Sequence, residues 1–208
     1  MIVAKLRISY NAPVVLTFAL AAVAVFILTN GAGVAKSWFV AWPELHGPAS
    51  YVGLFSHILG HANWQHLIGN FMLILLLGPI LEERHGSASL AIMILITALI
   101  TGLANLVFSD GALLGASGIV FMMILLASMA NVRGGEIPLT FIAVATIYMG
   151  GEIVRAFKDD HISQMAHLVG GVAGAAFGFL TASGKAAVAK GSTTDGMAKL
   201  LGGVKQRK

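Results

Sequence analysis

The stretch SASLAIMILITALITGLANLVF, residues Ser87–Phe108, runs for 22 residues without an Asp, Glu, Lys or Arg. A helix of about 20 mainly apolar residues is long enough to cross the hydrocarbon core of a bilayer. This stretch therefore predicts a membrane-spanning helix, and it gives the pattern for which the rest of the chain can be searched.

The composition of the whole chain agrees with a membrane location. Of its 208 residues, 57% are hydrophobic and only 11% are charged, against roughly 25% charged in an ordinary soluble domain. The mean hydropathy is +0.86. A chain with so little polar surface is unlike a soluble enzyme, a disordered chain or a nucleic-acid binder. We expect an all-α, polytopic membrane protein with no nucleic-acid partner.

Six stretches lack charged residues and are candidates for spanning helices. They cover residues 14–33, 65–81, 87–108, 115–132, 137–151 and 163–182. The prediction is one six-helix domain over residues 14–182, between a short terminus at 1–13 and a flexible basic tail at 183–208. The long connection 35–64 contains several aromatic residues, which favours a folded loop at the membrane interface.

The distribution of basic residues predicts the orientation. Alternating spans place ten Lys/Arg residues on one side and three on the other. The positive-inside rule then makes both termini cytoplasmic and turns residues 35–64, 109–114 and 152–162 outward. An alternative is that residues 1–35 form a cleaved signal peptide, because Lys5 and Arg7 precede the first apolar run.

Four polar residues fall in the outward half of three different spans. His66 and Asn70 are one helical turn apart, Ser117 opens the fourth span, and His167 lies about one turn inside the sixth. Ionisable groups within a span are costly and are interpreted first as functional. A Ser beside a His is an activated nucleophile with its general base, and His66 and Asn70 could donate hydrogen bonds to an oxyanion. Taken alone, Ser117 could instead be a helix N-cap.

Glycines recur every fourth residue along the sixth span, at Gly170, Gly174 and Gly178. Small residues at this spacing allow another helix to approach closely. The pattern by itself is typical of packing, and that packing could also hold His167 against Ser117.

Together these motifs resemble the rhomboid intramembrane serine proteases, in their six-helix bacterial form. The resemblance rests on HxxxN (His66, Asn70), GxSG (Gly115, Ser117, Gly118) and AHxxGxxxG (Ala166, His167, Gly170, Gly174). The segments Ser56 to His61 and Glu82 to Gly86 resemble the His-bearing approach to the second span and a cytoplasmic E-x-R-x-G turn.

The resemblance implies hydrolysis of a peptide bond near the outer end of a transmembrane substrate, in a bacterial inner membrane. Ser117 would be the nucleophile, His167 the general base, and His66 with Asn70 the oxyanion stabilisers. The fifth span and residues 152–162 would form the substrate gate. Gly115, Gly118, Phe121, Gly170 and Gly174 are interpreted as gate or structural residues. No cofactor and no metal are implied.

Two features depart from the family's pattern. A Trp-Arg pair is absent from the long first loop, where Val52 and Gly53 would align, so this loop must be anchored differently. Phe121 replaces a frequent Tyr; its ring can still pack beneath His167 but has no hydroxyl to donate.

Three alternatives remain open at the level of sequence. His57, His61 and His66 could form a three-His metal site, although no HExxH arrangement accompanies them. A proteolytically inactive rhomboid-like protein could bind transmembrane helices without cutting them. A transporter or channel would favour charged residues at the membrane midplane, which these spans lack.

Overall fold

The structure, a computed structural model, describes residues 9–31, 34–129, 136–156 and 164–182. Seven α-helices lie in these ranges. They are α1 Pro13–Asn30, α2 Pro48–Ser56, α3 Trp64–His85, α4 Ser87–Phe108, α5 Ser117–Ser128, α6 Leu139–Ala156 and α7 Gln164–Ala182. The predicted flexible tail, most of the N-terminal segment and residues 157–162 of the predicted gate lie outside the described residues.

Four of the helices, α1, α3, α4 and α7, are long and apolar enough to cross a membrane. The all-helical, multi-span prediction is confirmed. Helix α5 has 12 residues where the sequence predicted a span over 115–132, and residues 130–132 lie outside the described ranges. Its 12 residues rise only about 18 Å, less than the roughly 30 Å of a bilayer core.

Helix α5 is the buried centre of the bundle. Five of its side chains are at most 2% exposed: Ile119, Met122, Met123, Leu125 and Leu126. It packs against α3, α4 and α6. Other helices cover most of α5, and its first residue, Ser117, is partly buried.

The connection 34–63 between α1 and α3 is folded, as predicted. It contains α2 and two short 3₁₀ helices, Lys36–Phe39 and His57–Leu59. At Gly53, any Cβ would overlap the Val40 carbonyl oxygen, so only glycine permits this close approach. The Ser56 hydroxyl also donates to the Trp38 carbonyl. Backbone contact at Gly53 is thus one way in which the loop is anchored without the Trp-Arg pair.

The α3–α4 connection corrects one prediction. Helix α3 continues to His85 and ends at Gly86, whose φ of +82° favours glycine. Glu82, expected in a solvated turn, is only 4% exposed. Its carboxylate accepts hydrogen bonds from the Val14 and Val15 N–H groups, both at 3.0 Å, and from the Ser87 hydroxyl at 2.7 Å.

These contacts make Glu82 the cap of another helix. The first N–H groups of α1 have no partner within their own helix and carry partial positive charge. The Glu82 carboxylate therefore joins the end of α3 to the start of α1.

Helix α6 is longer than its predicted span of 137–151. It begins at Leu139, directly after Pro138, whose carbonyl accepts the N–H groups of Phe141 and Ile142 at 3.0 and 3.3 Å. It continues through Ala156, so the predicted outer segment 152–162 starts as helix.

Candidate active site

The turn before α5 brings together the HxxxN motif of the second predicted span and the GxSG motif of the fourth. Gly115 has φ +120° and donates its N–H to the His57 carbonyl at 2.9 Å. A Cβ at Gly115 would lie 2.6 Å from the His66 Nε2 and 3.6 Å from the Asn70 Nδ2. The GxSG turn therefore lies directly against the two side chains expected to stabilise an oxyanion.

Ser117 is the first residue of α5 rather than its cap. Ala116 occupies the N-cap position, and no side-chain hydrogen bond caps the helix. The interpretation of Ser117 as an N-cap is therefore wrong. Its position places the hydroxyl at the start of the helix, beside N–H groups that lack intrahelical partners.

Helices α5 and α7 meet through glycine. A Cβ at Gly170 would overlap the Gly118 backbone, and one at Gly174 would overlap the Met122 carbonyl. A Cβ at Gly178 would lie 2.7 Å from the Met129 side chain. The glycine stripe is thus a packing surface, and it holds the start of α7 against the start of α5.

His167 lies on Phe121 of α5. The two rings are parallel to within 5°, with centroids 4.6 Å apart. Ser117 and Phe121 are four residues apart on one helix and therefore lie on the same face. The imidazole of His167 consequently lies over the face of α5 that begins with Ser117, and Phe121 packs against it as predicted.

His61, which the sequence suggested only as a possible metal ligand, contacts the two predicted oxyanion residues, His66 and Asn70. Its Nδ1 donates to the Leu59 carbonyl at 3.2 Å, so the neutral ring leaves Nε2 as an acceptor. The Asn70 amide donates to that nitrogen at 3.1 Å. The His61 and His66 rings also lie edge to face, 5.0 Å apart. The only sequence signal for this role was its position in the His-rich run before α3.

Burial lowers the pKa of His61 to about 4, in spite of an opposing effect of the Leu59 carbonyl. The ring is therefore neutral at pH 7 and can act as a hydrogen-bond acceptor. One N–H of the Asn70 amide is used by His61, and the planar amide carries a second donor.

His57 also supports the GxSG turn, because its carbonyl accepts the N–H of Gly115. Its Nδ1 donates to the Gly53 carbonyl at 3.1 Å, and its Nε2 lies 3.3 Å from the Thr101 hydroxyl. Burial lowers the pKa of His57 to about 4. Within the described ranges, no three metal-ligating side chains gather, and these two histidines already use their ring nitrogens within the protein.

Tyr148 connects the site to α6, the helix predicted to belong to the gate. Its ring meets Phe121 edge to face, with centroids 6.0 Å apart. Gly171 of α7 also lies against the Met149 side chain. Phe121 is therefore packed between His167 and α6, an arrangement that the sequence did not reveal.

Comparisons with known proteins identify the family to which the chain is similar. The rhomboid domain model matches residues 48–184. The chain is 32% identical over 154 residues to Rhomboid-related protein 1 of Caenorhabditis elegans, covering 68% of this chain and 42% of that protein. It is 31% identical over 128 residues to the rhomboid protease GlpG of Enterobacter, covering 60% and 46%. It is 26% identical over 183 residues to the rhomboid protease GlpG of Yersinia enterocolitica, covering 82% of this chain and 63% of that protein.

These are the features of a helical, multi-pass integral membrane protein. The chain belongs to the rhomboid family. It spans between 42 and 63% of the lengths of these three relatives.

Proposed function

We propose that the protein is an intramembrane serine endopeptidase with a Ser117/His167 dyad. The observation that carries the proposal is the stacking of His167 on Phe121, one helical turn from Ser117 on the same face of α5. Two relatives are named as rhomboid proteases, which supports the same reaction class.

In the proposed reaction, the Ser117 hydroxyl attacks the carbonyl carbon of a substrate peptide bond. His167 accepts the hydroxyl proton and then donates it to the leaving amine. Water hydrolyses the resulting acyl-enzyme, with His167 again acting as base. The Phe121 ring fixes the plane of the imidazole. In a Ser-His-Asp triad, a carboxylate has this orienting role.

Negative charge develops on the substrate oxygen during attack. His66 and the second N–H of Asn70 lie beside the GxSG turn and are the proposed donors to that oxygen. Donors held in place before the reaction are worth roughly 2.7 to 4 kcal/mol each in comparable sites. The Asn70 amide is held by His61, so it need not reorganise when charge appears.

The proposed substrate is a transmembrane segment, cut near its outer end. A peptide bond inside a helix is shielded by its own hydrogen bonds, so the segment must unwind locally before attack. Helix α6 touches the site through Tyr148 and Met149 and is the proposed entry. The proposed orientation has both termini in the cytoplasm, as the charge distribution predicts.

The test is cleavage of a single-span substrate by the purified protein in liposomes, with fluorophosphonate labelling as a second readout. Ser117→Ala should abolish both cleavage and labelling, and His167→Ala should reduce both. Ser128→Ala is the matched control, because Ser128 lies at the far end of α5 and bonds the Leu125 carbonyl.

Full cleavage by both Ser117→Ala and His167→Ala would show that the dyad is wrong. A folded wild-type protein that binds the substrate but neither cuts it nor takes the label would instead identify an inactive helix-binding member of the family.

A further inference from the structure

An open groove lies between α1 and α4, away from the candidate active site. Its volume is about 780 Å³. One wall runs from Pro13 to Ala21 of α1 and the other from Ser87 to Leu95 of α4. Phe55, Ile58 and Leu59, in the connection 34–63, close one end. The groove thus runs from its open end at the starts of the two helices, Pro13 and Ser87, to the residues of the folded connection.

The length of the groove along the two helices is close to the thickness of the hydrocarbon region of one leaflet. Each wall covers eight helical rises, or about 12 Å. Half of a typical hydrocarbon core is about 15 Å thick. The next apolar positions on the same helices, Leu20 of α1 and Ile92 of α4, are 64% and 56% exposed. The groove is therefore continuous with surfaces that face lipid.

The lining leaves nothing for a polar ligand to bind. Its three hydroxyl side chains all bond within the protein: Thr17 with Tyr10, Ser56 with the Val52 carbonyl, and Ser87 with Glu82. The remaining lining residues are apolar. A hydrocarbon chain fits such a surface, whereas a polar metabolite would lose its hydration without gaining hydrogen bonds.

We propose that this groove binds one acyl chain of a membrane phospholipid, held between α1 and α4. The headgroup lies at the open end, where the exposed Arg84 of α3 precedes Ser87 by three residues and offers positive charge to the phosphate. The chain terminus reaches Phe55, Ile58 and Leu59, so the lipid supports the connection that carries His57. The inference does not depend on proteolysis.

Two paired substitutions test the proposal in the full-length protein. Ala91→Phe fills the groove from α4, and Ile92→Phe adds the same ring on the neighbouring lipid-facing position. Ala21→Phe and Leu20→Phe form the corresponding pair on α1. Native mass spectrometry after detergent extraction from phosphatidylethanolamine/phosphatidylglycerol nanodiscs would count the phospholipid retained by each variant.

We expect one phospholipid on the wild-type protein and on both lipid-facing controls. Retention by Ala91→Phe and Ala21→Phe should fall by about tenfold, since several methylene contacts are lost. Equal retention by the groove variants, or a retained mass that is detergent, would overturn the proposal.

A second measurement covers variants that fail to fold. A phosphatidylglycerol with a diazirine in its acyl chain should crosslink wild-type peptides containing residues 13–21 and 87–95 in preference to those containing Val172 or Leu180. Both of these α7 side chains are exposed. Uniform labelling of all lipid-facing helices, or none in the groove because another part of the chain fills it, would contradict a specific site.

Discussion

The amide of Asn70 illustrates how a single side chain can be fixed before chemistry begins. It is 8% exposed, it donates to the neutral His61, and it lies beside Gly115. A hydrogen-bond donor so constrained is suited to stabilise charge that exists only in the transition state. This is the property required of the proposed oxyanion donor.

Replacing Asn70 by Ala should therefore slow the chemical step. We expect kcat to fall by about 10²- to 10³-fold with little change in KM, because the lost bond forms in the transition state. Steady-state cleavage of a transmembrane substrate measures both constants. Gln65→Ala, on an exposed position of the same helix, is the control. A raised KM with an unchanged kcat would exclude the oxyanion role.

At the scale of elements, Gly170 and Gly174 of α7 lie directly against the backbone of α5. No side chain lies between them at these positions that could move to make room for an added atom. Gly170→Ala would force a Cβ into the Gly118 backbone and push the helices apart. We expect a loss of about 1 to 3 kcal/mol in stability. A displacement of about 1 Å would lower activity by about 10²-fold.

The comparison variant for Gly170→Ala is Gly69→Ala on α3, where an added Cβ meets nothing within 4 Å. It should leave stability unchanged or raise it by up to about 1 kcal/mol, as expected for Ala in a helix interior. Thermal unfolding in detergent, together with activity, separates the two variants. If both behave alike, the glycine stripe does not set the helix spacing.

Glu82 provides a second prediction at this scale. Glu82→Ala removes three hydrogen bonds from a buried carboxylate that caps α1, and should cost about 1.5 to 3 kcal/mol. The neighbouring Glu83 is exposed, so Glu83→Ala should change stability by less than about 0.5 kcal/mol. Unfolding of the two variants by denaturant in mixed micelles measures the difference. Equal losses would show that the cap is not a stabilising contact.

The limits of sequence reasoning are visible in the same elements. Long uncharged runs predicted α1, α3, α4 and α7 well, because the length of a spanning helix is set by the bilayer. The same rule misplaced Glu82, since a carboxylate was assumed to seek water when its partners were distant N–H groups of α1. Helix ends such as that of α6 depend on tertiary contacts, which periodicity does not report.

The candidate site was predicted only in part, for a related reason: sequence motifs do not report tertiary contacts. The motifs identified Gly115, His66 and Asn70, and the structure brings these three together. The sequence suggested His61 only as a metal ligand, and Tyr148 was missed because its contact with Phe121 joins two different helices. Neither kind of contact, a hydrogen bond accepted by a His or an edge-to-face contact of a Tyr, requires a characteristic spacing of residues in the sequence.

Considered as a whole, the molecule should lose stability in acid. His57 and His61 lie in the connection 34–63, and burial lowers the pKa of each to about 4. In the unfolded chain a histidine binds a proton near pH 6.5. Between pH 6.5 and 4 the unfolded state thus binds more protons, so the free energy of unfolding falls as pH decreases.

The expected loss approaches about 3 kcal/mol per histidine across that window, at about 1.4 kcal/mol per pKa unit. Thermal unfolding in detergent at a series of pH values measures it. His61→Gln should lower stability at pH 7.5 and flatten the pH dependence, because it removes one of the two groups whose pKa burial lowers. A wild-type profile that is flat from pH 6.5 to 4 would refute this account.

Helix α3 carries both Asn70 and Glu82, with Pro79 between them. Asn70 lies near one end of it and Glu82, fastened to α1, near the other. The two are separated by about 18 Å along the axis, so a tilt of only about 3° at Glu82 moves Asn70 by about 1 Å. We therefore expect the anchorage of Glu82 on α1 to influence the position of the Asn70 amide in the candidate active site. Weakening the contact between Glu82 and α1 is therefore expected to lower the proposed activity, although no proposed catalytic residue is changed.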